Sequence, residues 1–405
     1  MKIGIYGGTF NPPHLGHMTS AAAAMAALEL DKLFLIPAAL PPHKQLPANT
    51  PAAADRVAMA ALMADGIGQS LARPDDVTAL DMELCRGGKS YTADTLAELH
   101  ARYPEDALWL LMGADMFLTV QDWYEPQKIM GLAGLAAFAR TEEDCGTLLE
   151  EQAEYLRHQF GAEVNLVQLP NITDISSTRL RALLAAGEGA EYLWQPVYGY
   201  ILRQGLYGAG KDLKNLSDED LRCASYSMIR AKRIAHVRGT EQAAVALAER
   251  WGADVAHARR AAILHDCTKY LGMAEQRKIC QEYGIALDAL EQGAVKLLHA
   301  KTGACLARGI YGAPDDIYEA IFWHTTGKAD MSLLEKIIYL ADYMEPTRDF
   351  PEVGTLRALA QTDLDAAVLL GFEMSVSEMA ERGLPVHHRT LEAQTWMWEH
   401  KNRVE

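Results

Sequence analysis

The chain has 405 residues, of which 49% are hydrophobic and 23% charged, and its formal net charge at pH 7 is −16. This length predicts two or three domains, and this composition excludes a disordered or collagen-like protein. The acidic excess argues against general binding to nucleic acid, which requires a basic surface. It leaves room for a local basic site that binds a small phosphorylated molecule.

The sequence shows no sign of a membrane segment or of export. The alanine-rich stretch at 21–27 is far shorter than the roughly 18 apolar residues of a membrane span. The first residues lack the apolar core and the cleavage site of a signal peptide. Six cysteines are scattered without a CxxC pair, which predicts reduced thiols rather than a disulfide framework. We therefore expect a cytoplasmic protein without a membrane partner, and a homo-oligomer is compatible with the sequence.

The first half alternates short apolar runs with amphipathic stretches. This rhythm is typical of right-handed βαβ crossovers, and it predicts a parallel, doubly wound α/β sheet. We predict strands at 2–6, 32–36, 77–82, 107–112, 135–140 and 164–169. The pattern ends near Tyr207, which closes a predicted α/β domain at 1–208.

The second half changes to long helical patterns in which proline is rare, and we predict an all-helical domain at 217–405. The glycines at 208 and 210 are breakers that predict a linker at 209–216. We predict helices at 218–239, 240–251, 254–270, 273–283, 286–298, 303–311, 315–325, 332–344, 362–382 and 391–404.

The turn after the first predicted strand has the features of a phosphate site. Two glycines allow a tight turn that presents N–H groups to an anion, and the N-terminus of the following helix favours negative charge. His14 and His17 are three residues apart, so both imidazoles lie on one helical face and can donate to phosphate oxygens. We assign these two histidines to catalysis and the turn to substrate binding, with Gly7, Gly8, Thr9 and Phe10.

A second candidate anion site follows the last predicted strand. Ser176, Ser177 and Thr178 are predicted to cap a helix, and Arg181 projects from its first turn. Hydroxyls, free N–H groups and a guanidinium together bind anions. A capped helix with a solvent-exposed arginine would give the same pattern, but the histidine pair on the same sheet favours the anion site.

These two motifs, GGTFNPPHLGH and ISSTRLR, resemble those of nucleotidyltransferases that join a nucleotide monophosphate to the α-phosphate of ATP. The resemblance is closer to the bacterial nicotinate mononucleotide adenylyltransferases, and it covers residues 1 to about 208. It rests also on the strings PPHK at 41–44, SYTADTL at 90–96, GAD at 113–115, and YGYI with GLY at 198–207, together with Arg56 and Trp123.

The resemblance implies a Rossmann-like fold and the transfer of AMP from ATP to nicotinate mononucleotide in NAD biosynthesis, with Mg²⁺. It implies that His14, His17, Lys44 and Arg181 surround the ATP phosphates. The nicotinate ring would be held by Trp123, for which a core position is the alternative, and by Ser90, Tyr91 and Thr92. Further substrate-binding residues are expected at Arg56, Gly113, Asp115 and Arg140. The phosphate of nicotinate mononucleotide is already a nucleophile, so the protein must position anions and neutralise charge.

The helical half places histidines and aspartates between apolar residues. Polar groups on apolar helix faces are costly unless they are paired or bind a metal. One such histidine is usually a satisfied core residue, but several with two aspartates favour a shared metal centre. Imidazole with carboxylate suits Fe, Mn, Zn or Co rather than Ca. The candidate ligands are His236, His265, Asp266, His299, His324 and Asp342.

The adjacent His265 and Asp266 resemble the HD phosphohydrolase superfamily. The strings HVRGT, HDCTK, LHA, WHTTG and LLEKIIYLADYMEP are closer to bacterial HD-domain hydrolases that split diadenosine tetraphosphate symmetrically into two ADP, over residues 217 to about 400. The resemblance implies two transition-metal ions, iron or alternatively Mn, Co or Zn. It places His236, His265, Asp266 and Asp342 on one ion and His299 with His324 on the second, with Asp266 bridging.

The sequence leaves three points open. Lys269, assigned to catalysis, and Lys328 and Arg348, assigned to substrate binding, could bind phosphates or form surface salt bridges. The helical half could instead hydrolyse a guanosine polyphosphate or a nucleotide monophosphate, or be a metal-stabilised regulatory module without turnover. His387 and His388 are predicted to be exposed in a loop.

Overall fold

The computed structural model describes residues 1–42, 45–139, 147–169 and 175–401. Lys44, Arg140 and the segment 170–174 ahead of the second anion motif lie outside these ranges. The chain divides into two compact units, Met1–Gly210 and Lys211–Glu405. No helix within the described ranges combines the length and the hydrophobicity needed to cross a bilayer.

The first unit is built on a six-stranded, all-parallel sheet of order β3-β2-β1-β4-β5-β6. The strands are β1 Lys2–Gly8, β2 Lys32–Pro37, β3 Val77–Ala79, β4 Ala107–Gly113, β5 Ala133–Ala139 and β6 Val164–Gln168. Their apolar runs are nearly continuous because helices cover both faces of a parallel sheet. The predicted α/β class is confirmed.

The helices of this unit are α1 Leu15–Ala27, α2 Ala53–Ser70, α3 Met82–Arg86, α4 Thr92–Arg102, α5 Ala114–Phe117, α6 Pro126–Leu132, α7 Leu148–Phe160, α8 Ser177–Ala185 and α9 Gln195–Gln204. The predicted strand at 77–82 is too long, because the chain leaves the sheet after Ala79 and turns into α3 at Met82. β1 and β4 are neighbours, with Tyr6 opposite Leu111, so both strands end at the same edge of the sheet.

The second unit is helical, as predicted. Its helices are α10 Asp218–Tyr226, α11 Ala231–Trp251, α12 Val255–Leu264, α13 Met273–Glu282, α14 Val295–Gly309, α15 Asp315–Trp323, α16 Leu333–Met344, α17 Val353–Thr362, α18 Leu364–Glu381 and α19 His388–Lys401. One core collects buried residues from nearly all of them. The predicted linker 209–216 contains a single helical turn, Leu213–Asn215, and its last residue, Leu216, is buried in that core.

Several predicted helix boundaries in this unit are wrong. The predicted break between Gly239 and Thr240 does not exist, since α11 runs through both residues, and the break lies instead at 227–230. The helix predicted at 254–270 ends as an α-helix at Leu264, so His265 and Asp266 stand in the turn that follows it. The two helices predicted at 286–298 and 303–311 are replaced by one helix, α14, that begins at Val295.

Candidate active sites

The first unit holds a cavity of about 580 Å³ at the edge of the sheet where β1 and β4 end. The strand order reverses between these two strands, and open parallel sheets bind ligands outside such a reversal. Most of the residues that the sequence assigns to the transferase site line this cavity: Gly7, Gly8, Thr9, His14, His17, Ser90, Tyr91, Thr92, Gly113, Trp123, Ser176 and Ser177.

A hydrogen bond at the start of α1 determines which nitrogen of the neutral His17 ring carries the proton. The backbone N–H of His14 donates to Nδ1 of His17 at 3.3 Å. Because that nitrogen accepts, the neutral imidazole carries its proton on Nε2. The ring of His17 packs against those of Phe10 and Tyr6, with centroid distances of 5.4 and 6.0 Å. His17 is therefore a positioned N–H donor in the wall of the cavity.

The start of α8 is bound directly to the turn that precedes α1. Ser176 caps this helix by accepting from the backbone N–H of Arg179 at 3.2 Å. The hydroxyl of Ser177 donates to the carbonyl of Pro12 at 3.3 Å, and Nη1 of Arg181 donates to the carbonyl of Asn11 at 2.8 Å. The two predicted anion sites, distant in sequence, thus meet.

A smaller cavity of about 130 Å³ lies at this junction. It shares Thr9, Ser176 and Ser177 with the larger cavity, and Thr178 and Arg181 extend its wall. Nη2 of Arg181 also lies 3.2 Å from the Thr178 hydroxyl. The structure therefore brings together the donors that the second motif predicts.

Three of the predicted residues lie outside the lining of these cavities. Arg56 is 1% exposed and donates to the carbonyls of Thr9 and Ala38, at 3.0 and 2.6 Å, so it braces the turn from behind. Burial lowers the pKa of its guanidinium. Phe10 is buried beneath Gly8, and Asp115 is exposed on α5.

Sequence reasoning missed Glu83, which lines the larger cavity. Glu83 is 7% exposed, and its carboxylate accepts from the Thr95 hydroxyl at 2.7 Å. A signal for it exists, because it follows β3 at the same edge of the sheet where β1 and β4 end.

In the second unit, six candidate metal ligands converge from five helices or helix ends. They form two groups, and within each group the donor atoms all lie within 4.8 Å of one another. The first group is His236, His265 and Asp342, and the second is Asp266, His299 and His324. Five of the six are buried and Asp342 is half-buried. The sequence predicts all six residues, and the structure brings all six together.

All four imidazoles present the same nitrogen, Nε2, to the centre. Nδ1 of His265, of His299 and of His324 each lies 2.6 Å from the backbone carbonyl three residues earlier. Nδ1 of His236 lies 3.0 Å from Oε1 of Glu345. Carbonyl and carboxylate oxygens only accept, so each Nδ1 carries the proton and each neutral ring turns the lone pair of Nε2 inward.

This arrangement fits a metal centre. The Nε2 atoms of His236 and His265 are 3.3 Å apart, and those of His299 and His324 are 3.1 Å apart. Lone pairs at these distances repel one another unless a cation lies between them. Burial lowers the pKa of His265 to about 4 and that of His324 well below its usual value, so protons are poor candidates for that cation.

Asp266 lies between the two groups. Its Oδ1 is 3.1 Å from Nε2 of His299, and its Oδ2 is 3.5 Å from Nε2 of His265. Asp342 faces only the first group, with Oδ1 at 2.9 Å from Nε2 of His236.

Three cationic side chains surround these carboxylates. Arg233 Nε lies 2.5 Å from Asp266 Oδ2, and Lys269 Nζ lies 3.2 Å from Asp266 Oδ1. Nη2 of Arg348 lies 3.1 Å from Asp342 Oδ1. Sequence reasoning missed Arg233, although it precedes His236 by three residues on one helix and must therefore share its face.

Lys328 has other partners: its Nζ pairs with Glu335 at 2.7 Å and with Glu319 at 3.5 Å. This ion pairing is one of the two roles that the sequence leaves open for it.

A third group of possible metal ligands contains Asp288, His387 and His388. Unlike the histidines of the first two groups, His387 does not turn the lone pair of Nε2 toward the group. Nδ1 of His387 accepts from the backbone N–H of Arg389 at 3.2 Å, so the proton is on Nε2. That nitrogen lies 3.0 Å from Asp288 and 3.4 Å from Glu291. Because it carries the proton, it offers no lone pair to a metal ion. The prediction that His387 is exposed is wrong: it is 6% exposed, because α19 packs it against the turn before α14.

Comparison with known proteins finds a separate family for each unit. Residues 5–183 match the cytidylyltransferase-like family, and residues 233–347 match the HD domain family. A probable nicotinate-nucleotide adenylyltransferase of Syntrophotalea carbinolica is 36% identical over 51% of this chain and 97% of its own length. A symmetrical bis(5'-nucleosyl)-tetraphosphatase of Halalkalibacterium halodurans is 41% identical over 39% of this chain and 85% of its own length. Its Bacillus subtilis counterpart is 36% identical over 44% and 96%.

The chain belongs to both families. Its first half is a member of the nicotinate-nucleotide adenylyltransferases and its second half a member of the symmetrical tetraphosphatases, so both predicted resemblances are confirmed. One similar solved structure is a Clostridium acetobutylicum protein described as a "predicted HD superfamily hydrolase involved in NAD metabolism". It is 36% identical to this chain, and the match covers 46% of this chain and 98% of that protein, with a TM-score of 0.45.

Proposed function

We propose that the chain is a bifunctional enzyme of nucleotide metabolism. The first unit transfers AMP from ATP to nicotinate mononucleotide, which yields nicotinate adenine dinucleotide and pyrophosphate. The second unit hydrolyses diadenosine tetraphosphate symmetrically to two ADP. The names of the relatives suggest the substrates, and the geometry of each site supports the chemistry.

The transferase proposal is carried by the meeting of two helix N-termini at one cavity. Nε2–H of His17, the cap hydroxyl of Ser176 and the guanidinium of Arg181 offer donors to phosphate from two sides. Such donors hold two anionic reactants against each other and stabilise the charge that develops at the transferred phosphorus. The phosphate of nicotinate mononucleotide attacks the α-phosphate of ATP, and pyrophosphate leaves. Mg²⁺ with ATP supplies further positive charge on the leaving group.

Other residues that line the same cavity suit the nicotinate ring. Trp123 offers a flat face in the lining. The Ser90 hydroxyl oxygen accepts from the backbone N–H of Ala39 at 2.9 Å, which orients its proton for donation elsewhere. We assign this donor, with the Thr92 hydroxyl, to the nicotinate carboxylate.

The hydrolase proposal is carried by the paired Nε2 lone pairs of the four histidines. His236, His265 and Asp342 would hold one transition-metal ion, His299 and His324 a second, and Asp266 would bridge them. Iron, manganese, cobalt or zinc in this donor set would supply Lewis acidity and an activated water for attack on phosphorus. Lys269, Arg233 and Arg348 carry the positive charge that faces the remaining phosphates.

The test uses the full chain with each substrate set in turn, with products separated by chromatography. We expect nicotinate adenine dinucleotide with pyrophosphate from the first set, and ADP as the single nucleotide product from diadenosine tetraphosphate. AMP together with ATP would contradict the symmetrical cleavage. Turnover of a guanosine polyphosphate or a nucleotide monophosphate instead would assign the helical unit to that substrate. No turnover with metal bound would favour the regulatory module.

A further inference from the structure

Glu345 is a buried carboxylate at the candidate metal centre. It lies inside the string LLEKIIYLADYMEP, but it is not among the residues assigned to the site or to the proposed ligand set. It directly follows α16 and is 0% exposed. Its Oε1 accepts from Nδ1 of His236 at 3.0 Å and from the Thr347 hydroxyl at 2.5 Å, and its Oε2 accepts from the Thr347 backbone N–H at 2.6 Å. Burial raises the pKa of Glu345, but these hydrogen bonds outweigh burial and leave the carboxyl ionised.

One short segment therefore contacts both nitrogens of the same imidazole. Asp342 faces Nε2 of His236 at 2.9 Å, and Glu345, three residues later, faces Nδ1 at 3.0 Å. The other three histidines are held by carbonyls of their own helices or turns. His236 alone among these four depends on a side chain from another helix end for its orientation.

The packing of α11 makes room for this carboxylate. Gly239 lies three residues after His236, and a Cβ added there would overlap Oε2 of Glu345 and come within 3.2 Å of the Pro346 ring. A glycine in the middle of a helix costs about 1 kcal/mol relative to alanine. The lack of a side chain at Gly239 therefore allows Glu345 to reach His236.

We propose that Glu345 is a positioning residue for the metal centre. It holds the proton on Nδ1 of His236 and directs Nε2 at the ion shared with His265 and Asp342, and Gly239 is required for that contact. This inference rests on the proposed metal site of the hydrolase. Partners of this kind change metal affinity or activity by roughly 10- to 100-fold when they are removed.

The test measures Co²⁺ binding to the full chain, stripped of metal with a chelator, by the visible absorption of the bound ion. We expect the wild type to bind two Co²⁺. Glu345→Gln should weaken one of the two sites by roughly 10- to 100-fold and leave the other unchanged. Gly239→Ala should weaken the same site, and Thr347→Val, which removes one donor to Glu345, should weaken it by a smaller factor.

Matched controls separate positioning from general stability. Glu335 is a carboxylate on α16, 1% exposed, whose partners are the backbone N–H of Ser332 and Nζ of Lys328. Glu335→Gln should lower Tm and leave both Co²⁺ affinities unchanged. Gly354→Ala is the control for the added methyl group, since among the described residues no heavy atom lies within 4 Å of its Cβ position.

The outcomes distinguish this inference from the function on which it rests. A wild-type chain that binds no Co²⁺ would overturn the metal site itself. Two bound Co²⁺ with unchanged affinities in Glu345→Gln and Gly239→Ala would overturn the role of Glu345 alone. If Glu345→Gln does not fold, unchanged affinities in Gly239→Ala and Thr347→Val would overturn it equally.

Discussion

At the residue scale, the two units use imidazole in opposite ways. Nδ1 of His17 accepts a backbone N–H, so its Nε2 carries a proton that can be donated to an anion. Nδ1 of His299 meets a carbonyl, so its Nε2 presents a lone pair to a cation. One contact on the far side of the ring decides which role the side chain plays.

The role of His17 leads to a prediction about the transferase alone. His17→Ala should lower adenylyl transfer by roughly 10²-fold or more, because a positioned donor to the developing charge is lost. Hydrolysis of diadenosine tetraphosphate by the same preparation is the internal control and should be unchanged. A transferase rate close to that of the wild type would refute the assignment.

Asp266 gives the complementary prediction. Asp266→Ala should abolish hydrolysis and reduce bound metal, since it removes a carboxylate that faces both ligand groups and leaves Arg233 and Lys269 beside the site without their partner. Metal content by elemental analysis and ADP release measure the two effects. Adenylyl transfer should remain at the wild-type level, and full hydrolysis by this variant would contradict the bridging role.

The hydroxyl groups in the lining of the first cavity predict selectivity between substrates. We expect a preference for nicotinate over nicotinamide mononucleotide in kcat/KM, because hydroxyl donors such as that of Ser90 suit a carboxylate better than an amide. Parallel kinetics with the two mononucleotides measure this. Equal values of kcat/KM would count against the assignment of the Ser90 and Thr92 hydroxyls to the nicotinate carboxylate.

The sequence predicts the six candidate ligands that the structure brings together, but it does not predict Glu345 and Arg233, which contact them. His236 and His299 stand out because a polar residue on an apolar helix face is rare without a partner. Glu345 and Arg233 do not stand out, because charged residues at a helix end or beside a turn are common on any surface. Only the packing of α11 against the end of α16 shows that Glu345 is buried.

At the element scale, periodicity locates strands better than it locates helix ends. The six strands are apolar runs between polar segments, so a one-dimensional pattern finds them. The ends of the helices in the second unit are harder to predict from the sequence. A glycine usually interrupts a helical pattern, but α11 continues through Gly239, where the carboxylate of Glu345 occupies the space beside the backbone. His265 appears helical by pattern, yet the chain turns there and brings Asp266 inward.

One element-scale contact is directly testable. His387 attaches the start of α19 to Asp288 and Glu291 in the turn before α14. His387→Ala should reduce the free energy of unfolding by about 0.5–3 kcal/mol, because it removes a buried ring and its close contacts with the two carboxylates. His388→Ala is the matched control, since the His388 side chain is 53% exposed, and it should have little effect. Denaturant unfolding of the two variants decides this; equal stabilities would contradict the contact.

At the scale of the whole molecule, the chain consists of two compact units. Each unit has its own core, and the division falls between Gly210 and Lys211, inside the predicted linker 209–216. We expect a fragment of residues 211–405 to fold alone, bind two metal ions and retain hydrolysis, and a fragment of residues 1–210 to retain adenylyl transfer. Circular dichroism and elemental analysis measure these properties. Less than one transition metal per 211–405 fragment, after purification with metal supplied, would contradict the expectation.

The different ways in which the histidines are held have a consequence for how the centre assembles. Carbonyls three residues away orient His299 and His324, so each of these rings is oriented as soon as its own helix forms. His236 acquires its orientation only when the end of α16 docks against α11 and Glu345 reaches it. For the proposed two-metal site, we therefore expect the position at His299 and His324 to fill first and empty last during folding or metal starvation. We then expect a chain with one ion bound to be a defined species and not an even mixture.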